Sequence, residues 1–138
     1  MENNNNELNE NKNFEEVSKY GVYFTEEGLF NKIMKFAKVL GTKFLYVVLV
    51  LFYTLKEKDV PAWAKAAIVG ALGYFILPTD LVPDILPAAG FADDWGVVLA
   101  AIAAVAFYVD KDVKEKAKGM IKDWFGDFDE NDIKDLPV

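Results

Sequence analysis

The sequence predicts an all-α fold: a small membrane helical bundle built on a tight helix–loop–helix hairpin, with two or three membrane segments. Three observations predict it. Hydrophobic residues fill 53% of 138 positions although 27% are charged, so the two kinds must be segregated. Residues 1–31 hold seven acids and two lysines, and residues 110–138 hold nine acids and six lysines, which leaves an apolar centre. Apolar residues in that centre recur at helical spacing, and no stretch alternates between turn signals as a hairpin strand would.

Residues 1–24 read as an acidic, Asn-rich N-terminal tail, expected to be disordered because it has little apolar surface to offset ordering entropy. Its last part, with Phe14, Val17, Tyr20, Val22, Tyr23 and Phe24, suits a short interfacial helix or a strap. Residues 25–126 form the helical membrane domain. Thr25 followed by Glu26 and Glu27 is an N-cap with acids in the first turn. One long helix then runs through Leu29, Ile33, Phe36, Leu40, Val47, Leu51 and Leu55, apolar all round from Phe44 to Tyr53. Such a segment is buried either in protein or in lipid.

Pro61 suits the first turn of a second helix, which runs to about Leu77 with Lys65 as its one charge. Pro78 stops it. A third helix is expected from about Asp93, apolar from Trp95 to Val109. It continues as an amphipathic stretch with Val113, Ala117, Met120, Ile121 and Trp124 on one face. Gly126 is a natural residue to follow a helix end. Residues 127–138 form an acidic C-terminal tail, expected to fray. Asp127, Asp129 and Asn131 mimic the first ligands of an EF-hand. Asp132 and Val138 stand where its Gly and Glu are needed, so this is not a calcium loop.

The apolar stretches are shorter than the roughly 20 residues of a standard spanning helix, so their lengths alone also allow the buried helices of a water-exposed bundle. Three features favour lipid. Helices two and three lack a polar face. Rows of small residues, Ala62/Ala66/Gly70 and Gly96/Ala100/Ala104, suit close helix packing in a bilayer. Trp63, Lys65, Tyr108 and Lys111 bracket the stretches as interfacial anchors. Lysines gather at the open end of the hairpin, which the positive-inside rule assigns to the cytoplasm.

The connection between helices two and three carries the candidate site. It runs from Pro78 to Asp94 with Asp80, Pro83, Asp84, Pro87, Gly90, Asp93 and Asp94. Three prolines interrupt any helix, and Gly90 permits a left-handed backbone before helix three. The four aspartates can serve as caps and turn residues, Asp93 and Asp94 in the first turn of helix three. Converging, they would suit a hard cation or a proton, and an acid at membrane depth is a candidate functional group. A Lys38 or Lys43 contact with this acidic connection is expected, with Lys65 nearer Asp110.

No Cys, His or Arg occurs, which excludes disulfides, Cys/His zinc sites and cysteine or histidine catalysis. The acidic balance, −7 overall, opposes nucleic-acid binding.

The connection resembles the signature of the YkvA-like family, a bacterial domain of unknown function. The pattern Asp-x-aliphatic-Pro-Asp-x-aliphatic-Pro-x-x-Gly-aromatic-x-Asp-Asp is matched by Asp80, Pro83, Asp84, Pro87, Gly90, Phe91, Asp93 and Asp94. Trp63, Lys65 and the run from Gly73 to Pro78 are similar too, whereas Trp95 stands where an aliphatic residue is more usual. The resemblance covers about residues 50–110. It implies a short multi-pass membrane protein and supplies no catalytic residues.

The expected function is therefore that of a small integral membrane protein acting as a non-enzymatic scaffold or interaction module. Its expected location is the bacterial cytoplasmic membrane. Its expected partners are the lipid bilayer and a protein partner or a second copy of the chain, with no cofactor. The alternative is a cation- or proton-binding, transport-related protein using Asp80, Asp84, Asp93 and Asp94.

Overall fold

A computed structural model describes residues 19–76 and 87–138, apart from the side chains of residues 19, 39 and 87–94. Among the described residues all regular structure is helical. Helices α1 (Glu26–Leu55), α2 (Ala62–Ile76), α3 (Pro87–Val105) and α4 (Lys111–Phe125) are accompanied by 3-10 turns at Lys19–Tyr23 before α1, Ala106–Tyr108 between α3 and α4, and Glu130–Ile133 after α4.

Helix α1 starts as expected, with the Thr25 hydroxyl accepting from Gly28 N at 2.9 Å. It does not continue straight. Thirty residues of straight helix would hold its ends about 45 Å apart. Yet Glu26 pairs with Lys56 at 2.8 Å, and the Phe30 and Phe52 rings lie 5.2 Å apart. The chain doubles back at Gly41, which has φ 78° and ψ 166°, after a loosened turn at Phe36. Only glycine adopts that backbone region freely. The single long helix expected from periodicity is thus two limbs, residues 26–40 and 42–55.

This fold-back explains the all-apolar segment. Phe44 to Phe52 are each 5% exposed or less. Around them stand Leu29 and Ile33 of the first limb, Ile68, Leu72 and Phe75 of α2, Val98, Ile102 and Val105 of α3, and Val113, Ala117 and Ile121 of α4. The second limb is a central helix wrapped by protein, and each buried large side chain contributes roughly 1.5–3 kcal/mol. Lipid is not needed to account for it. Burial also pushes the Tyr46 phenol above its ordinary pKa, with Glu115 and Glu130 adding to the shift.

Helix α2 begins directly after Pro61, whose carbonyl accepts from Lys65 N at 3.1 Å. Helix α3 begins at Pro87, not near Asp93. Proline at the first helical position is favourable because its missing N–H would be unpaired there. Gly90 therefore lies inside the helix, and Asp93 and Asp94 lie beyond its first turn. The expected first-turn role for those two acids does not hold.

Helix α3 also ends earlier than expected. The 3-10 turn Ala106–Tyr108 and extended Val109 separate it from α4, which Asp110 caps by accepting from Val113 N at 2.8 Å. Gly126, with φ 87°, ends α4 as predicted. The stretch 127–138, expected to fray, packs instead. Asp129 caps the 3-10 turn, Ile133 is buried, and Leu136 and Val138 rest on the core.

The strap suggested for the end of the first segment is present. The turn Lys19–Tyr23 lies across α2, with Tyr20 edge-on to Tyr74 at 5.0 Å. The expected tail 1–24 is thus built into the fold from Lys19. A Cβ on Gly73 would collide with the Tyr20 carbonyl oxygen and reach within 3.3 Å of Gly21 Cα. Gly73 is the seat of the strap.

Among the described residues no helix is long and apolar enough to cross a membrane. The reasons differ by helix. Helix α1 turns back at Gly41. Helix α2 has 15 residues, about 22 Å, against a hydrocarbon core of about 30 Å. In helix α3 the described side chains run from Trp95 to Val105, about 16 Å of helix. The fold is all-α, and the two or three membrane segments expected from sequence are not found in these helices.

Candidate functional site

Aromatic packing fixes the two ends of the acidic connection. Phe44 of the central limb lies 5.3 Å from Phe75 near the end of α2 and 5.2 Å from Trp95 in α3. Trp95, unusual for the signature, thus fills the space beside Phe44. Lys32 reaches the same region from the first limb. Its ammonium donates to the Phe75 carbonyl and lies 4.8 Å from that ring's centroid. A cation at the C-terminal end of α2 opposes the negative pole of the helix. Helix α2 has no base in its own last turn, so another helix supplies one.

Of the predicted site residues, Pro87, Gly90, Asp93 and Asp94 are brought onto α3, and the side chains of Pro87, Asp93 and Asp94 lie outside the described residues. Asp80, Pro83 and Asp84 lie outside the described residues altogether. Among the described residues no group of three or more acids, His or Cys could hold a metal ion.

Lys43 does not go to the acidic connection. It pairs with Asp135 at 3.0 Å, across the folded-back stretch 127–138. Lys118 lies 3.7 Å from Glu130 of the same stretch and 3.9 Å from Glu115. The Lys43 hydrogen bond holds the Asp135 carboxyl below its ordinary pKa, helped by a backbone hydrogen bond and by the Lys43 charge. A lowered carboxyl pKa favours the packed state above the ordinary carboxylate range, and that contribution is lost as pH falls through the lowered value. Both partners are exposed, so the pair is weak and screened by salt. Lys43→Ala is expected to return Asp135 toward the ordinary carboxylate value, measured by NMR titration of its side-chain carbonyl. An unchanged titration would disprove the pairing.

The small-residue rows do not form the seam between α2 and α3. Ala62 and Ala66 are exposed, and only Gly70 of that row is buried. Gly96 and Ala100 are exposed as well, and a Cβ on Gly96 would meet nothing within 4 Å. The rows that bury are Ala64/Ile68/Ala71/Leu72/Phe75 and Val98/Ala101/Ile102/Val105.

From Gly96 onward the outer side of α3 is therefore apolar and open. Gly96, Ala100, Ala103 and Phe107 are all exposed at successive spacings of four, three and four. No charged residue occurs from Trp95 to Val109. At one end stands an aromatic group that the sequence had signalled only through Trp63 and Tyr108. Trp63 and Tyr108 are 5.9 Å apart and Phe107 and Tyr108 5.3 Å, both edge-on. Phe107 escaped notice because periodicity placed it inside a continuing helix. The pattern Asp110-Lys111-Asp112, a cap followed by an acid in the first turn, marked a new start and could have exposed the break.

Comparison with known families matches residues 64–100 to the family described as "Protein of unknown function (DUF1232)". No curated protein and no solved structure matches the chain. The matched residues run from α2 through the acidic connection to the middle of α3. Residues 64–100 are thus similar to DUF1232, a family of unknown function, and the YkvA-like signature is consistent with that match.

Proposed function

We propose that this chain is a non-enzymatic membrane module, held against the bacterial cytoplasmic membrane by the outer side of its helical hairpin. The observation that carries this reading is the exposed side of α3. A surface helix ordinarily turns a polar stripe to water. Here the outward positions Gly96, Ala100, Ala103 and Phe107 are as free of charge as the inward ones. Contiguous exposed apolar surface on a folded chain marks a place where something docks. The same surface offers no nucleophile, base or metal ligand, so attachment suits it better than catalysis.

The central limb gives no support to this reading, because protein covers it on every side. The case for lipid rests on α3 and its aromatic end. Membrane fractionation of the full chain expressed in a bacterium tests it. Recovery in the membrane pellet after a high-salt wash is expected. Recovery in the supernatant before any wash would refute the proposal.

A further inference from the structure

We infer that attachment is one-sided and hydrophobic. Phe107, Trp63 and Tyr108 form a wedge that enters the interfacial layer of a single leaflet and takes zwitterionic lipid as readily as anionic lipid. This rests on the membrane reading above and adds how, and by which residues, the lipid is met.

Phe107 is 92% exposed and Trp63 54%. Neither sits on a slack loop. Phe107 is the middle residue of the 3-10 turn Ala106–Tyr108, which is closed by Val109 N donating to the Ala106 carbonyl at 3.1 Å. The capped start of α4 follows immediately, so the ring is held outward between two helices. Tyr108 stacks edge-on against both neighbours and joins them into one patch. Ala62 and Ala66, one and three residues from Trp63, and Ala103 of α3 are exposed as well.

Two features select lipid over protein as the occupant. The first is hydrogen bonding. A protein interface carries about one hydrogen bond per 100–200 Å². From Gly96 to Phe107 no side chain on α3 and its turn can donate or accept one. The polar atoms are the Trp63 indole and the Tyr108 hydroxyl, both at one end. Rings of that kind, apolar in body and polar at the tip, settle at the boundary between headgroups and hydrocarbon.

The second feature is charge. In the chain, Lys56, Lys58, Lys65 and Lys111 flank Trp63 and Tyr108 together with Glu57, Asp59, Asp110 and Asp112, and Lys56 is already paired with Glu26 at 2.8 Å. Four bases against five acids, in a chain of −7, give no attraction to anionic headgroups. The wedge complements a neutral surface. From Gly96 to Phe107 the exposed positions of α3 and its turn carry no charge, so this stretch can lie along the membrane plane.

The test is flotation of the full chain with vesicles of phosphatidylcholine, and of phosphatidylcholine mixed with phosphatidylglycerol, at low and high salt. The wild type is expected to bind both vesicles within about twofold and to keep binding in high salt. Phe107→Ser is expected to weaken partition roughly tenfold, and Trp63→Ser with Phe107→Ser further still. Both side chains are exposed, and circular dichroism melting confirms that the variants fold. Binding that requires phosphatidylglycerol and vanishes in salt overturns the inference while leaving a membrane role intact. So does wild-type binding by the double variant. Absence of binding to either vesicle removes the inference and the membrane reading together. Concentration-dependent dimerisation abolished by Phe107→Ser, without vesicle binding, assigns the patch to a second copy and overturns both.

Discussion

Gly41→Ala is expected to destabilise the monomer by about 1–3 kcal/mol, because φ 78° with ψ 166° is closed to a residue bearing a Cβ. Contacts do not cause the loss. A Cβ at Gly41 would meet nothing within 4 Å, so the penalty is one of backbone conformation alone. The chain has one way to relieve it. If residue 41 turns helical, limbs 26–40 and 42–55 become one continuous rod. The first limb then reaches its Phe30–Phe52 and Glu26–Lys56 contacts only in a neighbouring copy. Exchange of an identical element between copies is a known route to dimers when a hinge is altered. The expected result is a lower melting temperature for the monomer and a dimer that grows with concentration, read by light scattering after gel filtration. D-Alanine at the same position, whose allowed backbone map is the mirror image, should restore the monomer. Wild-type stability and mass in Gly41→Ala would show that the fold-back does not depend on this residue.

Gly73→Ala should be the most damaging single methyl among the described glycines. The added Cβ would stand 2.7 Å from the Tyr20 carbonyl carbon, and the obstacle is backbone, which cannot swing aside as a side-chain tip can. The strap Lys19–Tyr23 must lift from α2 and give up the Tyr20–Tyr74 contact. Overpacking of a filled site costs typically about 1–3 kcal/mol, and a backbone clash belongs at the upper end. A fall in the urea midpoint with faster tryptic cleavage at Lys19 is the expected outcome. Gly96→Ala supplies the contrast. It sits inside α3 in open space, so alanine should stabilise by about 0.5–1 kcal/mol through helix propensity. Equal effects from the two substitutions would invalidate the close approach at Gly73.

Much of the helical framework was legible in the residues. Thr25 as a cap, Pro61 before α2 and Gly126 after α4 are local signals, and local signals survive into the fold. What failed was non-local. Periodicity runs through Gly41 without interruption, because both limbs bury an apolar face and the break needs only one residue of unusual backbone. The apolar circumference of residues 44–53 was ambiguous between lipid and protein. The deciding fact, that four other helical pieces surround it, lies far along the chain. Small-residue spacing misled in the same way. Ala62/Ala66 and Gly96/Ala100 have the repeat of a packing seam, yet a repeat of four does not say which side of a helix meets its neighbour. The contacts of Lys32 with the Phe75 carbonyl and ring join residues far apart in the chain, which local spacing does not signal.

The wrapping of the second limb has a consequence for how the family segment is to be understood. Residues 64–100 supply two walls of an enclosure whose central post is residues 42–55 and whose remaining sides come from 26–40 and from α4. Cut out alone, those 37 residues would turn Ile68, Leu72, Phe75 and Val98 to water with nothing left to grip. The matched stretch marks a recognisable sequence, not an autonomous folding unit, and its neighbours on both flanks are structural necessities.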